Sequence, residues 1–246
     1  MTTANKLPRI RALTFDLDDT LWPLASTLQQ AEQASWIWLD QHAPRITHQF
    51  SLTESAQLRR QLHRDDPNLR HQISKVRIAT IKKMALESGY AEEKSTKIAA
   101  DAFNIFLARR QSVTPYDGVE KILGALSENF LIGAISNGNA DIYKTPIGQY
   151  FSFALSAEQV DASKPSPIIF NTAIELLCRQ TNTPIKAAQV IHIGDSYELD
   201  ISAAKRCGYK TIWLRVNSDD NTDKEDADYI ISDITELTQA IEALTA

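Results

Sequence analysis

Short apolar runs that end in polar clusters recur along this chain and predict buried strands. The first covers residues 10–15, where Ile, Leu and Phe predominate, and two more cover residues 130–135 and 190–193. Runs of this length and composition are typical of strands buried on both faces of a parallel sheet. From Asp117 onward such runs alternate with helical patterns, which predicts successive βα units.

A periodicity of three and four residues occupies the chain from about residue 25 to about residue 110, which predicts helices. Two stripes show it: Leu69, Ile73, Val76, Thr80 and Met84, then Ile98, Ala102, Ile105 and Phe106. Such stripes are more often helix cores than cofactor contacts. Gly89 is the expected C-terminal cap of the first of these helices.

Carboxylates crowd the end of the first predicted strand, where Asp16, Asp18 and Asp19 follow residue 15. Acids packed this closely repel one another and lose solvation unless a cation or a proton lies among them. Open parallel sheets bind ligands at the carboxyl ends of their strands. Asp16 and Asp18 therefore predict a divalent-metal site at this edge.

Three later segments supply the partners that such a site needs. They are Ser136-Asn137-Gly138 after the second run, Lys164-Pro165 further along, and Gly194-Asp195-Ser196 leading to Asp200 after the third. In this order, a DxDxT motif, a strand ending in Ser-Asn-Gly, a Lys-Pro pair and a GDSxxxD motif resemble the haloacid dehalogenase superfamily, chiefly its phosphatases. The resemblance spans nearly the whole chain, and the four motifs together are highly specific.

The resemblance implies an α/β fold, with a Rossmann-like parallel sheet flanked by helices as the core and a helical-bundle cap domain inserted into it. Thr20 and Ser136 are 116 positions apart, whereas Ser136 and Lys164 are only 28 apart. A four-helix cap fits only the first gap. We therefore expect two domains, a catalytic core of residues 1–22 and 113–246 and a cap of residues 23–112.

Charge separates these two predicted domains. Residues 23–112 carry 13 Lys and Arg against 9 Asp and Glu, a net +4, and the rest of the chain is net −9. A basic cap beside an acidic, metal-loaded cleft suits an anionic substrate, although solvated helix faces would give the same count. Substrate specificity is expected to come from the cap. Flat apolar surface is offered by Trp22, Trp36 and Trp38 and cationic groups by Arg59, Arg60, Arg64, Arg70 and Arg77, although Trp36 and Trp38 are more often packing residues.

The resemblance assigns catalytic roles to Asp16, Asp18 and Lys164. Asp16 is the expected nucleophile, which forms an aspartyl-phosphate. Asp18 is the expected general acid for the leaving alcohol and then the base for water, and its main-chain carbonyl is expected to bind the metal. The superfamily's dehalogenases lack an acid at this position because a halide leaves without a proton, so Asp18 favours a phosphatase.

The remaining motif residues are expected to bind phosphate or metal. Mg²⁺ is the expected cofactor, with Asp16, Asp18 and Asp195 as its ligands, because it is a hard cation that prefers oxygen. Phosphate is expected to bind Ser136, Asn137 and Gly138, although Ser136 also suits a helix N-cap. The supporting residues are Thr20, Ser196 and Asp200, the last of which either pairs with Lys164 or holds a metal-bound water. His192 is expected to be a packed core histidine.

The first and second motifs also resemble those of bacterial phosphatases that act on flavin mononucleotide and on the phosphorylated ribitylaminouracil intermediate of riboflavin synthesis. The predicted function is therefore Mg²⁺-dependent hydrolysis of a small phosphorylated metabolite. Alternatives within the superfamily are a phosphotransferase such as a phosphomutase, and a 2-haloacid dehalogenase. An alternative from another class is a non-enzymatic phosphoaspartate receiver, although receivers are shorter and have no helical insert. A decayed, non-catalytic family member is disfavoured by the intact acid and lysine set.

Composition adds weaker constraints. The net charge of −5 argues against a nucleic-acid partner, and no segment is apolar for long enough to span a membrane. Cys178 and Cys207 match no metal or redox spacing, and the first residues lack a secretion signal, so a cytoplasmic location is expected. Residues 219–228 are acidic and predict a solvated loop, with a second metal site as the alternative. No oligomeric state follows from the sequence.

Overall fold

The computed structural model of the chain describes residues 9–215 and 226–245. Two compact units are present. The α/β unit comprises Met1–Pro23, Thr114–Asn137 and Thr145–Ala246, and the helical unit comprises Leu24–Val113 and Gly138–Lys144. Most of the acidic segment at residues 219–228 lies outside the described residues. The functional division into a catalytic core and a cap stays a prediction.

Six parallel strands form one sheet in the described part of the α/β unit. They are β1 (Ala12–Phe15), β2 (Leu131–Ser136), β3 (Phe153–Ser156), β4 (Val190–Gly194), β5 (Lys210–Leu214) and β6 (Tyr229–Ile231). Their order is β3-β2-β1-β4-β5-β6. In this doubly wound order the direction of winding reverses between β1 and β4, which opens a crevice beyond the carboxyl ends of these two strands.

Strands β1, β2, β4 and β5 are largely buried, because helices of the α/β unit pack against the sheet. The helical unit contains α1 (Leu24–His42), α2 (Pro44–Gln49), α3 (Leu52–Asp65), α4 (Ile73–Glu87) and α5 (Glu92–Arg110). The α/β unit contains α6 (Val119–Ser127), α7 (Ala157–Val160), α8 (Pro167–Thr181), α9 (Ala203–Arg206) and α10 (Leu237–Thr245). On α8, Ile169, Phe170, Ala173 and Leu177 share one buried face and pack against Ala12 and other strand residues.

The helical unit has a core of its own, in which α1, α2, α4 and α5 contribute buried residues such as Leu39, Ile46, Met84 and Ala102. The predicted glycine cap is confirmed, since α4 ends at Glu87 and Gly89 adopts a left-handed φ of 77°. Of the predicted stripe residues, Ile105 is wrong, because it is 37% exposed and its neighbour Phe106 takes the buried position. The helix turns by 100° per residue, so adjacent positions cannot both face a narrow core. Leu69 is also wrong, because it lies in a separate 3₁₀ turn, Pro67–Leu69, before α4 begins.

The predicted fold class is therefore confirmed. The described residues form a six-stranded parallel sheet with helices, and a helical bundle is inserted into the chain after β1. The bundle has four long helices and one short one, α2, in the described residues. Trp22 corrects one expectation, since it is fully buried in the α/β unit and offers no surface for a substrate. Over residues 9–215 and 226–245, no helix combines the length and apolar character needed to cross a bilayer.

A glycine in the sheet provides a test of the packing between β2 and β3. A Cβ added at Gly133 would lie 2.1 Å from the ring of Phe153, its register partner, whereas one added at Gly124 in α6 would lie 3.6 Å from the nearest atom. We expect Gly133→Ala to lower the free energy of unfolding by about 1–3 kcal/mol through overpacking. Gly124→Ala should raise it by about 0.5–1 kcal/mol through helix propensity.

Urea unfolding followed by circular dichroism measures both changes. Equal stability of Gly133→Ala and the unsubstituted protein would contradict the packing of Phe153 against this glycine.

Candidate active site

The strand register brings the first and last acidic motifs together. β1 and β4 are parallel neighbours with Phe15 opposite Ile193, and the Asp16 amide donates to the Ile193 carbonyl at 2.9 Å. Asp16 follows the last residue of β1 and Asp195 follows the last residue of β4. Both carboxylates therefore lie at the crevice where the sheet order reverses.

Lys164 lies among these acids. Its Nζ is 2.5 Å from Asp16 Oδ1 and 2.5 Å from Asp200 Oδ1, and its side chain is only 2% exposed. Burial disfavours the ammonium, but Asp16 and Asp200 raise the pKa of Lys164 above its ordinary value. Lys164 is therefore a permanent buried cation at neutral pH.

Asn137 holds the main chain of this lysine in place. Its side-chain Oδ1 accepts from the Lys164 amide at 2.8 Å, and its Nδ2 donates to the Lys164 carbonyl at 3.0 Å. Both polar atoms of the Asn137 side chain are thus used to position Lys164. Phosphate binding by Asn137, as predicted, would therefore use its main-chain amide.

Asp200 makes the densest set of contacts in the site. Its Oδ1 accepts from Lys164 and lies 3.3 Å from His192 Nε2, and its Oδ2 accepts from the Ser196 amide at 3.1 Å. Burial opposes ionisation, but Lys164 and His192 overcome it and lower the pKa of Asp200 to about 2. Asp200 lies in a π-helical turn, Tyr197–Ser202, which follows the glycine at residue 194.

That glycine makes the approach of Asp200 sterically feasible. A Cβ on Gly194 would lie 2.4 Å from the Asp200 carboxyl carbon, closer than any stable contact. The Ser196 hydroxyl caps the π turn by accepting from the Leu199 amide at 3.3 Å. The Gly-Asp-Ser segment therefore shapes the turn that presents Asp200.

His192 and Thr14 support the site, and the sequence analysis did not identify their role. Thr14 and His192 are register partners on β1 and β4, and Thr14 Oγ1 lies 2.9 Å from His192 Nδ1. His192 is buried as predicted and packs edge-on against Phe170. Burial lowers the pKa of His192, although Asp200 opposes this. Two polar residues at matching positions in otherwise apolar strands were the signal for this pair.

Thr20 connects the two strand-end acids. Its Oγ1 lies 3.0 Å from Asp195 Oδ1 and 3.5 Å from Asp16 Oδ2, and it accepts from the Asp195 amide at 3.1 Å. The Asp195 carbonyl accepts from Trp213 Nε1 at 2.9 Å. A single buried hydroxyl and one indole thus fix the spacing of Asp16 and Asp195.

Asp18 lies apart from this carboxylate group. Its Oδ1 accepts from Trp22 Nε1 at 2.8 Å, and the chain turns immediately afterwards at Asp19, which has a φ of 59°. Among the phosphate-binding candidates, Ser136 is buried at the end of β2, and Gly138 begins the short segment assigned to the helical unit. The catalytic and phosphate-binding roles of these residues stay predictions.

The acids fit a divalent metal by their chemistry and their spacing. Asp16, Asp195 and Asp200 each offer a carboxylate oxygen, and these three atoms lie within 4.8 Å of one another. Burial and the charge of Asp200 raise the pKa of Asp195 to about 6, and burial likewise raises that of Asp16 against the opposing effect of Lys164. The positive charge near these two carboxylates is too small to compensate both of them when they are ionised. Hard oxygen ligands of this kind suit Mg²⁺.

Comparison with known proteins identifies the family. A family profile described as haloacid dehalogenase-like hydrolase matches residues 10–208. The chain belongs to this family. Because the match covers most of the chain, the predicted superfamily is confirmed, and so is the prediction that the chain is an enzyme, a hydrolase of this superfamily.

Three relatives show how the hydrolase compares with characterised members. It is 29% identical to the 5-amino-6-(5-phospho-D-ribitylamino)uracil phosphatase YigB of Escherichia coli over 87% of each chain. It is 28% identical to the pyrimidine 5'-nucleotidase YjjG of the same species over 54% of this chain and 60% of that one. A structure titled 2-haloacid dehalogenase, from Pseudomonas syringae, superposes with a TM-score of 0.85 and 31% identity over 95% of this chain and 99% of that one.

The raised pKa of Asp195 predicts a pH dependence of stability in the metal-free hydrolase. Between its unfolded pKa near 3.8 and about 6, the folded protein binds a proton that the unfolded chain does not. The Asp195 contribution to the free energy of unfolding is therefore present at low pH and lost as pH rises through about 6. As pH rises through this range, the unsubstituted protein should lose up to about 2 kcal/mol more of its free energy of unfolding than Asp195→Asn does, after allowing for partial solvent exposure of Asp195.

Urea unfolding in EDTA across this pH range measures the difference. Glu175→Gln, on an exposed face of α8, is the matched control and should follow the unsubstituted protein. If the free energy of unfolding changed with pH in the same way for Asp195→Asn and the unsubstituted protein, the raised pKa of Asp195 would be contradicted.

Proposed function

We propose that this hydrolase cleaves phosphomonoesters with Asp16 as the nucleophile and Mg²⁺ as its cofactor. The observation that carries the proposal is the buried contact of Lys164 with Asp16 and Asp200, beside Asp195. With all three acids ionised the group has a net charge of −2. Such a group is stable only with a further cation, and a bound Mg²⁺ supplies it.

The proposed reaction has two displacements. Asp16 Oδ1 accepts from Lys164, so Oδ2, whose one described partner is Thr20 at 3.5 Å, is the more available oxygen. A bond forms between an Asp16 oxygen and phosphorus while the bond to the leaving oxygen breaks, and that oxygen takes a proton from Asp18. Water then attacks phosphorus and gives a proton to Asp18, while the bond between phosphorus and the Asp16 oxygen breaks, which releases inorganic phosphate and restores the Asp16 carboxylate.

Each supporting residue has a defined part in this scheme. Mg²⁺, held by Asp16, Asp195 and the Asp18 carbonyl, would screen the approach of a carboxylate to an anionic phosphate. Lys164 holds Asp16 in position and compensates charge on the transferring group. Asp200 keeps Lys164 protonated, and the contact of Asp18 with Trp22 Nε1 holds its carboxyl close to the strand end.

The relatives support a proposal for the substrate class. Two of them are named for substrates that contain a pyrimidine ring, a phosphorylated ribitylaminouracil and pyrimidine nucleotides. We therefore propose a small phosphorylated metabolite with a pyrimidine-type ring, such as flavin mononucleotide or a precursor in riboflavin synthesis. The α/β unit would carry out the chemistry, and the helical unit, with its positive charge, would act as the cap that selects the substrate.

Dehalogenation of 2-haloacids is the second candidate, because the similar protein from Pseudomonas syringae is described as a 2-haloacid dehalogenase. A carboxylate nucleophile such as Asp16 would serve there too. Asp18 favours phosphate ester hydrolysis, because an alkoxide requires a proton to leave and a halide does not. The two candidates therefore differ in their need for Asp18 and for a metal.

Metal dependence and the nucleophile are tested together. We expect EDTA to abolish hydrolysis of 4-nitrophenyl phosphate and Mg²⁺ to restore it, because the −2 acid group cannot receive a phosphate without a cation. Asp16→Asn should lower kcat by about a thousandfold or more while leaving the folded structure intact. Colorimetric phosphate release measures both effects.

Glu175→Gln is the control for the nucleophile, since Glu175 lies exposed on α8. Full activity of Asp16→Asn, or full activity in EDTA, would contradict the proposal. Release of halide from 2-chloropropionate without release of phosphate from any ester would establish the dehalogenase candidate instead.

A series of leaving groups tests Asp18 as the general acid. Asp18→Asn should reduce hydrolysis of an alkyl phosphate by about 10²–10⁴-fold. Loss should be smaller for 4-nitrophenyl phosphate, because nitrophenolate leaves without protonation. A steeper dependence of kcat on leaving-group pKa in the variant is the expected result, and equal slopes in both proteins would exclude this role for Asp18.

A further inference from the structure

The helical unit contains a cavity of about 270 Å³ that the catalytic motifs do not use. This volume approaches the lower end of the range of roughly 300–1,000 Å³ that is usual for small-molecule sites. Its apolar wall comes from α1, α4 and α5, through Leu28, Ile73, Val76 and Phe106. Its polar lining consists of Glu32, Arg59, Arg60, His63, Arg77 and Asn139.

One carboxylate oxygen organises the polar side of this cavity. Glu32 Oε1 accepts from Arg59 at 2.7 Å and from Arg77 at 3.2 Å. The three residues lie on three different helices, α1, α3 and α4. The Arg77 guanidinium also lies 3.6 Å above the centre of the Phe106 ring, which fixes its plane.

Most of the hydrogen-bonding capacity of this trio is left for a ligand. A guanidinium has five N–H donors, and within the described residues each of these two arginines donates only to Glu32. Glu32 Oε2 accepts from no described residue. The Arg77 side chain is only 14% exposed, and burial and the nearby Arg59 lower its pKa to about 10, so it stays charged at neutral pH.

The trio therefore offers N–H donors from both Arg59 and Arg77 and an acceptor from the Glu32 carboxylate, to which both arginines are hydrogen-bonded. The imide edge of a pyrimidinedione ring, as in uracil and flavins, presents a carbonyl, an N–H and a carbonyl. The two patterns are complementary, and the apolar wall suits a planar ring. We propose that Arg59, Glu32 and Arg77 recognise the imide edge of a pyrimidinedione in the substrate, an inference that rests on the proposed phosphatase function.

Asn139 connects this cavity to the phosphate-binding segment along the chain. Its Nδ2 donates to Ser74 Oγ at 3.1 Å, and it lines the same cavity. It follows Asn137 by two residues, a separation of at most about 7 Å of extended backbone. Asn139 is therefore both part of the cavity lining and a near neighbour in sequence of the predicted phosphate-binding residues.

Substrate analogues test the proposal without any change to the protein. The values of kcat/KM are measured for uridine and cytidine 5'-monophosphates, and for flavin mononucleotide and its N3-methyl derivative. Cytosine replaces the imide edge by an amino group and two acceptors, and methylation removes the imide N–H. We expect each altered ring to lower kcat/KM by about tenfold or more, the effect of one lost hydrogen bond to a charged group.

Glu32→Gln tests the acceptor directly, because the amide can donate to cytosine N3. The preference for uridine over cytidine monophosphate should shrink toward one, a ratio that a loss of fold would not change. Lys97→Ala is the matched control, since Lys97 is exposed on α5 and does not line the cavity. Its preference should equal that of the unsubstituted protein.

The outcomes separate this inference from the proposed function. Failure to hydrolyse 4-nitrophenyl phosphate with Mg²⁺ would refute the phosphatase itself. Hydrolysis of that ester with equal rates for both members of each ring pair, or with no hydrolysis of any ring-bearing substrate, would overturn ring recognition alone. An unchanged uridine preference in Glu32→Gln would likewise overturn it.

Discussion

The buried ammonium of Lys164 is the interaction on which the arrangement of the acidic site depends. Three carboxylates from two strand ends and a helical turn lie around it, and without a cation their mutual repulsion and lost solvation would separate them. Lys164 contacts Asp16 and Asp200 directly, at 2.5 Å each, but not Asp195. Asp195, which lacks that contact, has a raised pKa, and so does Asp16. A metal ion would therefore suit the place beside Asp195 and the Asp16 oxygen that Lys164 does not contact.

The sheet supplies the rigidity that this charge arrangement requires. Asn137 fixes the main chain of Lys164 from the end of β2, Thr20 fixes the spacing of Asp16 and Asp195, and Gly194 permits the close approach of Asp200. Beneath them, Thr14 and His192 extend the hydrogen bonding to Asp200 from within the sheet. A buried polar network of this kind is stable because its members satisfy one another, and it holds the Asp16 carboxylate within a narrow range of positions.

The helical unit also groups carboxylate and cationic side chains, but in the opposite ratio. There a single carboxylate, Glu32, holds two cations, and the surplus of donors faces a cavity with an apolar wall. The α/β unit has an excess of acid that suits a metal ion, whereas this cavity has an excess of N–H donors that suits a neutral ring rich in carbonyl groups. This division is consistent with the net charges of +4 and −9 in the two parts of the sequence.

Local pattern determined much of this protein. The apolar runs predicted β1, β2 and β4, three of the four motifs lie at the ends of these runs, and the unequal spacing of the motifs predicted where the helical bundle is inserted. The sequence could not show that both side-chain atoms of Asn137 hold Lys164, that His192 contacts Asp200, or that Trp22 is buried, because these contacts join residues far apart in the chain or depend on packing. Nor could it show which arginines pair with Glu32, because nothing in the sequence distinguishes Arg59 and Arg77 from Arg64 and Arg70. Periodicity reports which face of an element is buried, whereas the partners of a buried charge are decided by strand register and helix packing, which only the tertiary structure determines.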